Sequence, residues 1–135
     1  MNEPETIREI FKQAKTIAVV GLSDKPGRPS LGVASYLKRH GYRIIPVNPE
    51  TTEVLGEKSY PTLTDAVSAV GTIDVVDVFR ASKFVAAIVD ETIRLKLPYL
   101  WLQQGVIDQS AAQKAEAAGI KVVMDRCMKL AHMAV

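Results

Sequence analysis

At 135 residues, 47% apolar and 24% charged, the chain has the size and composition of a globular protein with a real core, expected to be one domain over residues 1–135. A net charge of +2 excludes a broad electrostatic footprint for nucleic acid, and no apolar run approaches the roughly 20 residues of a membrane span. The single cysteine excludes an internal disulfide and fits a reducing cytoplasm, and the acidic, amphipathic start MNEPETIREIF lacks the apolar centre of a secretory signal.

Residues 3–14 read as a leading helix, with Ile7, Ile10, Phe11 and Ala14 recurring on one face. Thr16-Ile-Ala-Val-Val20 is a continuous run of small and β-branched apolar residues, the pattern of a strand buried on both faces. The polar stretch from Gly21 to Ser30 follows, with Ser30 as the expected N-cap of a helix that ends near Gly41. Tyr42 to Val47 reads as the second strand, closed by the Asn48-Pro49 turn.

Residues 50–63 are irregular, either a short strand pair or a folded loop. Thr64 is the expected cap of a brief helix to Val70, ended by Gly71. Ile73 to Phe79 is the third strand, and Ser82 the expected cap of a helix burying Phe84, Val85, Ile88, Val89 and Ile93. Pro98 to Leu102 is the fourth strand, followed by a Gln103-Gln104-Gly105 turn and a helix near 109–118. Ile120 to Met124 is the fifth strand, and 126–133 a last short helix. Alternating strands and helices imply a doubly wound α/β domain, with a mainly parallel five-stranded sheet covered by helices on both faces.

In such sheets ligands lie beyond the carboxyl ends of the strands, where strand order reverses. That directs attention to Gly21–Ser30, Asn48-Pro49, Phe79-Arg80, Gln103–Gly105 and Asp125–Cys127. Between a buried strand and a helix start, the first of these reads as an anion site. Helix N–H groups point at the ligand, and Lys25 and Arg28 add full charges. The loop lacks the G-x-G-x-x-G spacing, and the second strand ends in Val47-Asn48-Pro49 with no acid for a ribose diol, which argues against NAD. The G-K-S or G-K-T ending of a P-loop is also missing. Two cations and two hydroxyls suit a ligand with more phosphate charge, such as coenzyme A with its diphosphate and 3′-phosphate.

The motifs G-L-S-x-K-P-x-R-P-S, P-V-N-P, D-V-F-R, Q-x-G and M-D-R-C, in that order from about Thr16 to Cys127, resemble the small bacterial and archaeal CoA-binding proteins. Those proteins are stand-alone relatives of the CoA-binding domain of the succinyl-CoA synthetase α subunit. The resemblance implies a Rossmann-like fold of three layers and coenzyme A or an acyl-CoA as ligand. It implies that Gly21, Ser23, Lys25, Arg28 and Ser30 hold the phosphates and that Val47, Asn48 and Pro49 bracket the adenosine. By the same resemblance Phe79 and Arg80 close over it, and Gln103 and Gly105 approach the pantetheine arm. Where relatives often follow the cysteine with Pro-Lys and an acid, this chain has Met128-Lys129-Leu130.

Other residues carry competing readings. Arg80 could pair with Asp77 instead of a ligand, and Asn48 could serve only its turn. Cys127 is either a reactive thiol beside Arg126 at a helix start or a small buried hydrophobe. His40 and His132 lack metal-ligand company, so no metal is expected. Tyr99 and Trp101 read as core or subunit-contact residues. Asp74 and Asp77, three apart on one strand, point to opposite faces and make no catalytic dyad.

No side chain stands out as catalytic, so the expected activity is non-catalytic binding. The alternatives are a small enzyme of the same fold, either acyl-CoA-processing through Cys127 or NAD(P)-linked, and a CoA-sensing subunit with a protein partner. A homodimer is also compatible with the chain.

Overall fold

The computed structural model describes residues 1–135. Its element order is α1 (Pro4–Gln13), β1 (Thr16–Val20), α2 (Pro29–Arg39), β2 (Arg43–Val47), β3 (Glu53–Val54), β4 (Glu57–Lys58), α3 (Leu63–Val70), β5 (Val75–Val78), α4 (Val85–Arg94), β6 (Tyr99–Leu102), α5 (Gln109–Ala117), β7 (Lys121–Val123) and α6 (Met128–Met133). Strands 2, 1, 5, 6 and 7 form one parallel sheet in that order, and β3–β4 is a separate antiparallel hairpin. The irregular stretch is therefore a strand pair.

The sheet is buried on both sides because each strand contributes apolar residues at even and odd positions. Ala18, Val20, Val76, Val78, Leu100 and Leu102 face α3, α4 and α5. Ile17, Val19, Val75, Trp101 and Val123 face α1, α2 and α6. Trp101 is a core residue, fully buried, and its indole N–H donates to the Arg126 carbonyl at 2.9 Å. Tyr99 is half-buried. Its hydroxyl donates to Glu9, and burial first, then that carboxylate, pushes the phenol up to about 12.

The chain leaves β1 towards β2 on one side and returns to β5 on the other, so the order reverses between β1 and β5. A remnant of a further strand lies beyond β2. Tyr60 bridges Val47 in parallel, donating its amide to Pro46 and accepting from Asn48. Pro46 is tolerated within β2 because the strand has neighbours that use its carbonyl and ask nothing of its missing N–H.

Three helix starts differ from expectation. Ser30 does not cap α2: Arg28 occupies the N-cap position and Pro29 the first turn, where the fixed φ of proline starts the helix two residues early. Thr62, not Thr64, caps α3 by accepting the Asp65 amide at 3.1 Å, and the Thr64 hydroxyl donates to Glu91. Ser82 begins a 3-10 turn over Ser82–Phe84 ahead of α4, and its hydroxyl accepts from the Ile107 amide at 2.9 Å instead of capping. No helix is long and apolar enough to cross a membrane.

Candidate functional site

The carboxyl edge of the sheet carries a groove made of four adjoining cavities. Gly21, Asn48, Pro49, Glu50 and Arg80 line one of about 300 Å³. Gly21 also borders a second, of about 190 Å³, walled by Ser23, Arg28, Pro29, Ser30 and Phe79. Phe79 and Arg80 lead on into a third of about 430 Å³, which reaches Val33, Gln103, Val106 and Cys127. Cys127 opens the last, of about 470 Å³, towards Arg126 and Leu130. Shared walls make these one surface running from the β2 turn, across the point where strand order reverses, to α6.

The loop after β1 is folded, not merely solvated. Gly21 takes a positive φ of 89° and donates its amide to Val47 at 2.8 Å. Leu22 turns into the core and is fully buried, which anchors the loop. The buried Ser30 hydroxyl accepts the Ser23 amide at 3.0 Å, and the Ser23 hydroxyl accepts the Lys25 amide at 3.1 Å. Lys25 and Arg28 stay exposed and take part in no ion pair. Two uncompensated cations thus stand beside the first turn of an eleven-residue helix, whose free amides and dipole favour an anion.

The other candidate residues take different places. Val47 is buried in the core beneath the groove and lines none of its cavities. Asn48 clasps two loops, donating from Nδ2 to the Leu22 carbonyl at 3.0 Å and accepting the Glu50 amide at 2.9 Å. It still forms part of the wall, beside Pro49. Arg80 does not pair with Asp77; its guanidinium lies 4.1 Å from the Phe84 ring centroid. Gly105 donates to Asp125 at 2.7 Å, tying the loop after β6 to the loop after β7, and Gln103 and Gln104 line the groove in its place. Cys127 sits at the N-cap position of α6, half-buried, on the wall shared by the two larger cavities.

Asp77 and Gln103 form a buried pair. Gln103 Nε2 donates to Asp77 Oδ1 at 2.7 Å, and Asp77 Oδ2 has no partner. Burial pushes the Asp77 carboxyl up to about 7, against the weaker opposing pull of the Gln103 amide. Asp74 is elsewhere, accepting the Lys15 and Thr16 amides at the start of β1, so the two carboxylates never meet. His40 and His132 gather with Tyr36, whose hydroxyl lies 2.7 Å from His132 Nδ1. The Gln103–Asp77 bond was beyond sequence reasoning, although an acid inside an apolar strand and a glutamine just after the next strand were its signals.

The sequence model of a family described as "CoA binding domain" matches residues 15–133. The chain is 42% identical over 126 residues to YneT of Bacillus subtilis strain 168, covering 93% of this chain and 91% of that protein. It is 36% identical over 61 residues to acetate–CoA ligase (ADP-forming) II of Archaeoglobus fulgidus, a stretch that spans 44% of this chain and 9% of the ligase. Among solved structures, a hypothetical protein from Pyrococcus horikoshii OT3 superposes with a TM-score of 0.90 at 39% identity, over 98% of this chain and 91% of that one.

Proposed function

The chain belongs to the CoA binding domain family, and on that premise we propose that its groove binds coenzyme A or an acyl-CoA without catalysing a reaction. The observation that carries the reading is the folded loop of Gly21–Ser30, which sets the unpaired Lys25 and Arg28 beside the start of α2 and opens onto a groove along the sheet edge. Coenzyme A fits that donor set, because its diphosphate and 3′-phosphate bring several negative charges to one end of an elongated molecule.

In this reading Gly21, Ser23, Lys25, Arg28 and Ser30 hold the phosphates. The wall of Asn48 and Pro49, with Val47 beneath it, takes the adenosine, and Phe79 and Arg80 close over it. The pantetheine arm runs past Gln103 and the Gly105 turn towards Cys127. The binding reading is favoured over an enzymatic one because the histidines that could serve as a base are gathered with Tyr36 and line no part of the groove. The lone thiol suits a reducing compartment such as the cytoplasm.

Calorimetric titration with coenzyme A, dephospho-CoA and NAD tests this directly. The expected result is saturable coenzyme A binding, weakened on removal of the 3′-phosphate and weakened more than about tenfold in the Lys25→Ala/Arg28→Ala double variant. Unchanged affinity in the double variant would place the phosphates elsewhere. Binding to NAD alone would return the redox alternative.

A further inference from the structure

Asp77 is the only acidic residue among the buried ones. It lies on β5 between Val19 of β1 and Trp101 of β6, on the face covered by α1, α2 and α6. Its neighbours along the strand, Val75, Val76 and Val78, show what packing alone would select there. An acid with one oxygen unmatched is a poor core residue, because its desolvation is not made good by hydrogen bonds.

What distinguishes Asp77 is its connection to the groove. Gln103 is 4% exposed and lines the 430 Å³ cavity. Its Oε1 faces the Met128 amide at 3.4 Å, the first N–H of α6. That amide can only donate, so the Gln103 side chain is held with its oxygen towards α6 and its NH2 towards Asp77. A line of hydrogen bonds thus runs from α6 through a groove residue to a buried acid. Asp77 is two residues short of Phe79, and its β1 partner Val19 is two short of Gly21, so the acid lies about 7 Å below the loop level.

We propose that Asp77 is a proton-linked positioning residue: it fixes the Gln103 amide in the groove floor and takes up a proton as a polyanionic ligand settles above it. The inference rests on the coenzyme A reading. Ionised Asp77 repels an anion over the same ground and protonated Asp77 does not, so acid must tighten binding to the extent that binding raises the affinity for the proton. The carboxyl titrates near 7, in the range where this coupling operates. The cluster covering that face brings Phe11 from α1, Val33 from α2 and Met128 from α6, all apolar. The charged or titratable groups of the groove and its first loop, Lys25, Arg28, Glu50, Arg80, Asp125, Arg126 and Cys127, make no ion pair or hydrogen bond with Asp77, and none contributes to its shift.

The test is coenzyme A titration calorimetry from about pH 5.5 to 8.5, each point in two buffers of different ionisation enthalpy, on wild type, D77N and Q103L. The carboxamide of D77N keeps an acceptor for the Gln103 amide but cannot titrate, and the ligand's own phosphate proton is common to all three proteins. Wild type should lose about three- to tenfold in affinity across that range relative to D77N, with proton uptake on binding that D77N lacks. Q103L should bind more weakly at every pH, with its pH-dependent part displaced to higher pH, because the amide that pulls the Asp77 carboxyl down is gone. Equal slopes and equal proton uptake in wild type and D77N would overturn the proton linkage, and Q103L binding as tightly as wild type would overturn the positioning role. Absence of coenzyme A binding in all three would overturn the coenzyme A reading itself, and this inference with it.

Discussion

At pH 8 the Asp77→Asn variant is expected to be more stable than the wild type by about 4 kcal/mol over the difference seen near pH 3.5. Asp77 is fully buried and its carboxyl is pushed up to about 7, from an ordinary 3.8, by burial above all. The folded protein therefore keeps this proton through a pH range in which the unfolded chain has lost it. Stability drawn from the neutral acid is fully present below the unfolded value and is lost as pH rises through about 7. Above that point the folded state holds a desolvated charge with one oxygen unmatched. The carboxamide of the variant has no such charge to hold, while its carbonyl still accepts from Gln103.

Urea unfolding of both proteins at half-unit steps from pH 3.5 to 8.5 measures this difference. Acids outside the core such as Glu3 and Glu9, whose carboxyls are held low by the chain's amino terminus and by Lys121, act in the opposite direction. They are present in both proteins and cancel in the comparison. A difference that does not change with pH would mean that Asp77 gives up its proton at the same pH in the folded and unfolded states. Such a large cost retained at the sheet's carboxyl edge is what a functional position looks like, since apolar replacements are freely available to a strand of valines.

The alternation of strands and helices was legible because a strand buried on both faces writes itself as a nearly continuous apolar run, as in Thr16–Val20 and, broken only by Asp77, in Val75–Val78. The edge along which the loops gather followed from that alternation alone. What escaped were features decided by one residue or by register. Pro29 starts α2 early and frees Ser30 to fold the loop back onto Ser23. Tyr60 holds the place of an outer strand with a single bridge, too short to leave any periodicity. Leu22, the apolar residue of a polar loop, is fully buried, and its side chain was the signal. Gln103 meets Asp77 across 26 positions because β6 lies beside β5 with Trp101 opposite Asp77, a pairing that spacing within either segment does not contain. The histidines, isolated in the sequence, come together only when α6 packs against α2.

Gly21→Ala is expected to cost about 2–4 kcal/mol, several times more than Gly119→Ala. Both glycines have φ near +90°, where a side chain strains the backbone by about 1 kcal/mol, so that part is common to them. They differ in surroundings. A Cβ on Gly119 meets nothing within 4 Å, whereas one on Gly21 would stand 2.5 Å from the Phe79 carbonyl oxygen and 3.0 Å from Arg80 Cδ. Arg80 can swing aside, but the Phe79 backbone cannot, because its amide is bonded to Val20 at 2.8 Å within the β1–β5 pairing. Relief must come from spreading the two strands at the place where their order reverses, or from moving Gly21 off Val47. Either movement displaces Ser23 and the loop cations from the start of α2. Paired denaturant unfolding of the two variants measures the energetic part, and loss of coenzyme A affinity in Gly21→Ala, with Gly119→Ala unaffected, measures the displacement. Equal costs at the two positions would show that the close approach to Phe79 is absorbed without strain, and that the bare backbone at Gly21 serves only the turn.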